Sequence, residues 1–350
     1  MYKKEHKNFQ KGDFKDYILA GDIGGTNTSL GLFGLRKSKP TLLVSFRFKS
    51  QKLKGLHEAV NQSLYNILND YKIKVTKGSF AVAGVIDPTR QSARITHVKW
   101  NVDVKSLKKA TKLKRIFLLN DFEAIGHSIN ILDPHDYLAI RKTKKINFAP
   151  KVVIGAGTGL GKCTLLFDPR KKSYVPVQSE AGHAEFSAQT QEEFDLVTYL
   201  KKKNRVKSVV FEEVLSGYGI ANIYSFLRHK KYFPPTKYTK KVDIAGNKQE
   251  IISSYRKIDA TCRKTFEIFR NNYAKFARNT VLDSIALGGI YIAGGIAPKN
   301  KDIFDREFLR IFEDSTKMKA ILKKTPVYLI ENYDVGMIGA AFVGVKEIPN

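Results

Sequence analysis

The sequence predicts an α/β protein of two similar halves with a cleft between them, and three observations predict it. One pattern is written twice: residues 18–33 read ILAGDIGGTNTSLGLF and residues 152–167 read VVIGAGTGLGKCTLLF. Each is an apolar run of strand character, a glycine-rich turn carrying a threonine, and a second strand-like run. A third glycine pair closes another apolar run at Gly294-Gly295. Between these turns, strand-like and helix-like segments alternate, the signature of an α/β core. Glycine-rich turns let backbone N–H groups approach an anion closely, because no side chain stands in the way. Two such turns can grip one polyphosphate, which points to a nucleotide-using enzyme.

The elements follow in order. Residues 1–16 are basic and lack an apolar run, and they read as a flexible N-terminal extension. From Tyr17 a strand, turn and strand run to about Phe33, and a further strand covers Leu42 to Phe48. Leu56, Val60, Leu64, Ile67 and Tyr71 recur at helical spacing, so this segment is a helix. Phe80–Val85 and Arg115–Leu119 are short apolar strands, the second running straight into Asn120-Asp121-Phe122. The second half begins at Lys151. Glu192–Lys202 and Glu212–Leu227 read as helices, and residues 228–248 as a surface excursion, with two prolines and many charges. Asp259–Leu282 carries Phe266, Phe269, Tyr273, Phe276 and Thr280 at spacings of three and four, a long amphipathic helix whose aromatic stripe packs in the core. Asp334–Val345 closes the chain as a helix with small residues at Gly336, Gly339 and Ala340. The expected domains are 17–121 plus 334–350, a small α/β domain, and 122–333, a large α+β domain.

Bulk properties narrow the class. At 350 residues the chain accommodates two domains of ordinary size, and 43% apolar residues mark it as globular. No stretch offers about 20 charge-free apolar residues, and the N-terminus has no secretory pattern, so neither membrane nor export is expected. Two cysteines, Cys163 and Cys262, fit a reducing compartment rather than a disulfide scaffold. A cytoplasmic protein is expected. The 61 Lys and Arg against 33 Asp and Glu give a net charge of +28. These lysines are scattered in short groups such as Lys108-Lys109, Lys142–Lys145 and Lys201–Lys203, without interleaved aromatics. They dress an enzyme surface and attract anions, and no nucleic-acid partner is expected.

Four segments carry chemistry. In Gly21-Asp22-Ile23-Gly24-Gly25-Thr26-Asn27, the residues Gly24, Gly25, Thr26 and Asn27 suit phosphate, and Asp22 is placed to hold Mg²⁺ directly or through water. In the second turn, Gly157, Thr158 and Gly159 suit phosphate as well, although the spacing matches neither the P-loop nor the Rossmann fingerprint. Asn120-Asp121 ends a strand, where a carboxylate can accept a proton from a substrate hydroxyl and the amide can bind its neighbours; an Asp capping the next helix is the plainer reading. Glu180 and His183, three residues apart, suit a neutral polyol, since Glu accepts from hydroxyls and His both donates and accepts. Glu212 is a carboxylate at a helix start, of structural value if taken alone.

In this order the motifs resemble the bacterial-type glucokinases of the sugar kinase/Hsp70/actin superfamily, from about Tyr17 to Val345. The resemblance is carried by GDIGGTN at 21–27, Thr96 with Trp100, NDF at 120–122, GAGTGLG at 155–161, EAGH at 180–183, VLSG at 214–217 and YIAGGIAP at 291–298. It implies a two-domain ribonuclease H-like (actin-like ATPase) fold with an interdomain cleft that closes on sugar. It also implies transfer of the ATP γ-phosphoryl group to the 6-hydroxyl of glucose, with MgATP and glucose as partners and a homodimer as the assembly. Asp121 would be the general base, Asn120, Glu180, His183 and Glu212 the sugar ligands, and the two turns the phosphate cradle, with Gly294-Gly295 near adenosine. Three positions depart from the family pattern: Ala181 replaces a glycine, Tyr218 a proline and His97 an asparagine. With two cysteines the chain lacks the zinc motif of the related repressor and kinase group. Another hexose or phosphoryl donor is an alternative. A sugar-sensing regulator is a further one, although only about 17 residues precede the first strand, too few for a helix-turn-helix.

Overall fold

The structure, a computed structural model, describes residues 1–36, 39–95, 98–144 and 146–348. The chain opens with β1 (Tyr2–Glu5), β2 (Asp16–Ile23), β3 (Asn27–Arg36) and β4 (Lys39–Lys49). Helix α1 (Leu56–Tyr71) precedes β5 (Lys77–Val82), β6 (Gly84–Ile86), β7 (Ser92–Ile95) and β8 (Val102–Asp103). Then come α2 (Val104–Ala110), β9 (Arg115–Asn120) and α3 (Asp121–Ser128). The next strands are β10 (Tyr137–Arg141), β11 (Lys151–Ala156), β12 (Leu160–Asp168) and β13 (Ser173–Ser179). A helical stretch follows: α4 (Gln191–Asn204), α5 (Gly217–His229), α6 (Lys237–Ile244), α7 (Lys248–Tyr255) and α8 (Ala260–Ser284). The chain ends with β14 (Ile290–Ala293), α9 (Arg306–Phe312), α10 (Lys319–Lys324), β15 (Val327–Ile330) and α11 (Val335–Glu347).

Two compact units divide these elements. The first comprises residues 1–133, 167–178 and 332–350, and the second 134–166 and 179–331. The first unit therefore extends past residue 121 to Asp133 and also takes in Phe167–Gln178.

In the first unit the sheet order is β1-β4-β3-β2-β5-β9, with β2, β5 and β9 parallel and the others antiparallel. Strand β2 is apolar on both faces because both are covered. Leu19 and Ile23 join the cluster that includes Val60, Leu64 and Ile67 of α1. Ile18 and Ala20 join the opposite cluster, with Ala124 of α3 and Met337, Ala340 and Ala341 of α11. Side chains alternate along a strand, so Asp22 falls on the α11 side. The second unit holds β10, β15, β14, β11 and most of β12, hydrogen-bonded in the order β10-β15-β14-β11-β12. Its core forms where Phe266, Phe269, Tyr273 and Phe276 of α8 pack with apolar residues of α5, β11 and β14.

Three local readings are corrected. Residues 1–16 are not a loose extension: β1 pairs antiparallel with β4, Phe9 stacks on Tyr71 at 4.8 Å, and Phe14 lies against Gly34. The charged sequence YKKE hides an edge strand, whose outer face needs no apolar residues. Residues 228–248 include α6, whose start is fixed by the Thr236 capping box. The segment 212–227 is not one helix. Phe211–Glu213 forms a 3₁₀ turn, and α5 begins only after Ser216, whose hydroxyl accepts from the Gly219 N–H at 3.0 Å.

Candidate functional site

The first glycine turn closes the β2–β3 hairpin. The Gly24 N–H donates to the Asn27 carbonyl at 2.9 Å, so Gly24 spends its donor on the turn itself rather than on an anion. Thr26 and Asn27 are exposed, and Lys49 Nζ donates to Asn27 Oδ1 at 3.0 Å. Fully buried Ser50 clamps the turn from beneath. Its hydroxyl donates to the Gly24 carbonyl at 2.6 Å, and its N–H donates to the Thr26 carbonyl at 3.0 Å. The Trp100 indole N–H in turn donates to the Ser50 carbonyl at 3.2 Å. Thr96, the other half of that motif, lies outside the described residues, as does His97.

Asp22 faces the first turn of α11. A Cβ placed on Gly336 would come within 2.7 Å of Asp22 Oδ2, so a residue without a side chain there is what admits the carboxylate. Desolvation, with the charge of Asp334 second, pushes the Asp22 carboxyl up to about 6. Asp334 is itself paired to Arg47 at 3.2 Å. Among the described residues no group of three or more His, Cys, Asp or Glu could hold a metal ion. Mg²⁺ asks for less, since one or two carboxylates with waters and substrate phosphates suffice. A partly buried carboxylate beside a second acid is a donor set that such a cation relieves, and the residues fit Mg²⁺.

Asn120 and Asp121 stand at the carboxyl end of β9, and strand register aligns Asn120 with Val82 and Val82 with Ile23. The Asp22 turn and the Asn120–Asp121 pair therefore share the carboxyl ends of neighbouring parallel strands, where open α/β sheets bind ligands. Asn120, not Asp121, caps α3. Its Oδ1 accepts from Phe122 N–H at 2.9 Å and Glu123 N–H at 3.2 Å, while Glu123 Oε2 accepts from the Asn120 N–H at 3.3 Å. Asp121 is the first helical residue, with Oδ1 accepting from Phe122 N–H at 3.0 Å.

The second unit gathers the remaining candidates around Leu160. The Gly157 N–H closes the turn on the Gly159 carbonyl at 2.8 Å. Glu212 Oε2 accepts from the Leu160 N–H at 2.8 Å, and a Cβ on Gly159 would meet that oxygen at 2.5 Å. Glu212 therefore sits on the glycine turn, and Gly159 is glycine because the carboxylate occupies the space. A Cβ on Gly182 would collide with the Leu160 carbonyl, which places the 180–183 turn against the same strand end. Glu180 and His183 are exposed and face each other, His183 Nε2 to Glu180 Oε2 at 3.9 Å. Gly294, at φ +86°, lies against the Ala156 carbonyl, and the Gly295 nitrogen is 3.9 Å from where a Gly157 Cβ would be. The second and third glycine turns are thus adjacent. Thr158 belongs to the same turn.

The first unit carries Asp22, Gly24, Gly25, Thr26, Asn27, Asn120 and Asp121, and the second carries Gly157, Thr158, Gly159, Glu180, His183, Glu212, Gly294 and Gly295. Ser50 and Arg90 escaped sequence reading. A serine after a basic strand carries no signal of its own; its role comes from its hydrogen bonds to the Gly24 and Thr26 carbonyls.

The chain as a whole is similar to known proteins. The family model described as Glucokinase matches residues 19–347. A glucokinase of Nostoc punctiforme is 32% identical, the match covering 94% of this chain and 99% of that protein. The crystal structure of a glucokinase from an Antarctic psychrotroph superposes with a TM-score of 0.75 at 26% identity, covering 94% of this chain and 98% of its own. A ROK family glucokinase from Streptomyces griseus, solved with glucose and AMPPNP, gives 0.67 at 14% identity, covering 93% and 98%.

Proposed function

The chain belongs to the glucokinase family and is thus a sugar kinase of the two-domain actin-like ATPase fold, and we propose that it transfers the γ-phosphoryl group of ATP to the 6-hydroxyl of glucose. The observation that carries this reading is Asp121, an acid at the first turn of α3 and at the strand ends that also bear the Asp22 turn. Relatives of this family named for glucose, and a distant structure holding glucose with an ATP analogue, support the choice of acceptor and donor. The reading extends to a homodimer and, from the two cysteines and the missing secretory pattern, to the cytoplasm.

Asp121 accepts the proton of the attacking hydroxyl as the new P–O bond forms; phosphoryl transfer otherwise asks for positioning and charge stabilisation. Asn120, Glu180, His183 and Glu212 bind the sugar hydroxyls. Of these, Glu212 is preset by Leu160 and Asn120 by α3, whereas Glu180 and His183 are exposed and order on the sugar. Backbone and hydroxyl groups of Gly25, Thr26, Thr158 and Gly159 hold phosphate oxygens, and Gly294-Gly295 leaves room for the nucleoside. Mg²⁺ would be held through Asp22, where it would neutralise charge on the phosphates.

The test is a coupled ADP-release assay over a panel of hexoses and phosphoryl donors. Glucose with MgATP should give the highest kcat/KM. No sugar-dependent ADP release would sink the reading, and a preference for another hexose or for polyphosphate would replace its substrate. Asp121→Ala should lower kcat by about 10²- to 10⁴-fold while glucose binding stays measurable by calorimetry. Near-normal turnover would mean that another group takes the proton.

A further inference from the structure

Resting on Asp121 as the base, the geometry points to Arg90 as a positioning residue that holds the Asn120–Asp121 corner in its working orientation. The guanidinium makes a two-pronged contact with Glu123, Nη2 to Oε1 at 2.8 Å and Nη1 to Oε2 at 3.0 Å. Its Nη1 also donates to the Leu118 carbonyl of β9 at 3.0 Å, and the plane lies over the Phe117 ring at 5.1 Å. One side chain thus grips both the strand that delivers Asn120 and the helix that begins with Asp121. Glu123 is buried, 8% exposed, and passes the constraint on, since Oε2 accepts from the Asn120 backbone N–H.

Arg90 is itself held in place. Its backbone sits in the left-handed region at φ +57°, a strained conformation for a residue with a long side chain. The β6–β7 loop imposes it. The Asp87 carboxylate accepts from Thr89 N–H at 2.9 Å, from the Thr89 hydroxyl and from Ser92 N–H, and the Arg90 N–H donates to the Asp87 carbonyl at 2.9 Å. The same β6 strand touches the corner directly, because Asn120 Nδ2 donates to the Gly84 carbonyl at 3.4 Å. Gly84, at φ +151°, has the Arg94 carbonyl where a Cβ would stand. A rigid arm therefore aims an arginine at the hinge between β9 and α3. Lysine replaces it poorly, since a single ammonium lacks the planar two-nitrogen fork that spans both carboxylate oxygens and the carbonyl.

Four variants test this: Arg90→Met, Arg90→Lys, Glu123→Gln and the double Arg90→Met/Glu123→Gln. Each is assayed for kcat and KM per active site and for thermal midpoint, with Asp121→Ala alongside. Arg90→Met should lower kcat/KM for glucose about 30-fold, within the range set by small misplacements of reacting groups, with KM for ATP within about twofold. Arg90→Lys should recover only part of that loss. The double variant removes the lone buried charge and should regain thermal stability without regaining kcat, a split that a purely structural ion pair would not produce. Full recovery of kcat in the double variant, or normal kcat in Arg90→Met, overturns the inference. If Arg90→Met does not fold, a normal kcat in Arg90→Lys or in the double variant overturns it equally. An active Asp121→Ala would instead overturn the base assignment, so the two failures are told apart.

Discussion

Charging Asp22 costs this fold stability, and the sign of its pH dependence follows from the displaced titration. The carboxyl rises from 3.8 to about 6, so the folded state binds the proton more tightly than the unfolded chain does. Stability is therefore lost as pH rises from about 4 through about 6, and the full penalty applies above that. Asp22→Asn should raise the thermal midpoint at pH 7.5 in the absence of ligand, with little gain at pH 4, while Mg²⁺-dependent turnover falls. A scanning calorimetry series over pH, paired with a Mg²⁺ titration of activity, checks both halves. An equal gain at both pH values would rule out the charge as the cause. At this scale the sequence was readable where a residue type is rare in its setting: an acid inside an apolar strand, or Asn-Asp at a strand end. Arg90 and Ser50 were not readable, because their roles come from partners 33 and 26 positions away, which only the register brings near.

The glycine turn of the β2–β3 hairpin is an element with a latch beneath it. Trp100, 9% exposed, reaches the turn through Ser50. Trp100→Phe keeps most of the apolar packing and removes one of two donors to the Ser50 carbonyl, which keeps the Leu53 N–H at 3.2 Å, at a cost of about 0.5–1.5 kcal/mol. A loosened turn should raise KM for ATP about threefold with little change in KM for glucose, measured by initial rates. The reverse pattern would place Trp100 on the sugar side instead. Elements with regular apolar spacing, such as α1 and α8, were legible because burial itself enforces the period. Strand β1 was not, since an edge strand with a solvated face has no such pattern. The break between Glu213 and Gly217 was hidden for a different reason: Glu-Glu-Val-Leu has ordinary helical composition, and the Ser216 cap acts from within.

For the molecule as a whole, a net charge of +28 should draw in polyanionic nucleotide faster than neutral sugar. Raising ionic strength from about 0.01 to 0.15 M shrinks the Debye length from about 30 to 8 Å, so kcat/KM for ATP should fall while that for glucose barely moves. Steady-state rates at fixed pH test this, and equal sensitivity of both substrates would refute it. The two-unit plan was legible from the repeated turn alone. Its division was not, because the first unit is assembled from three separated stretches of chain. That discontinuity has a bearing on how the protein is made. Helix α11 covers the back of β2 and supplies Gly336 to Asp22, yet it leaves the ribosome roughly 200 residues after α3, about 10–40 s later. Until then α3 alone packs on that face of β2, so the nascent first unit should expose apolar sheet surface, and a frameshift that spares every candidate site residue should still yield a dead product.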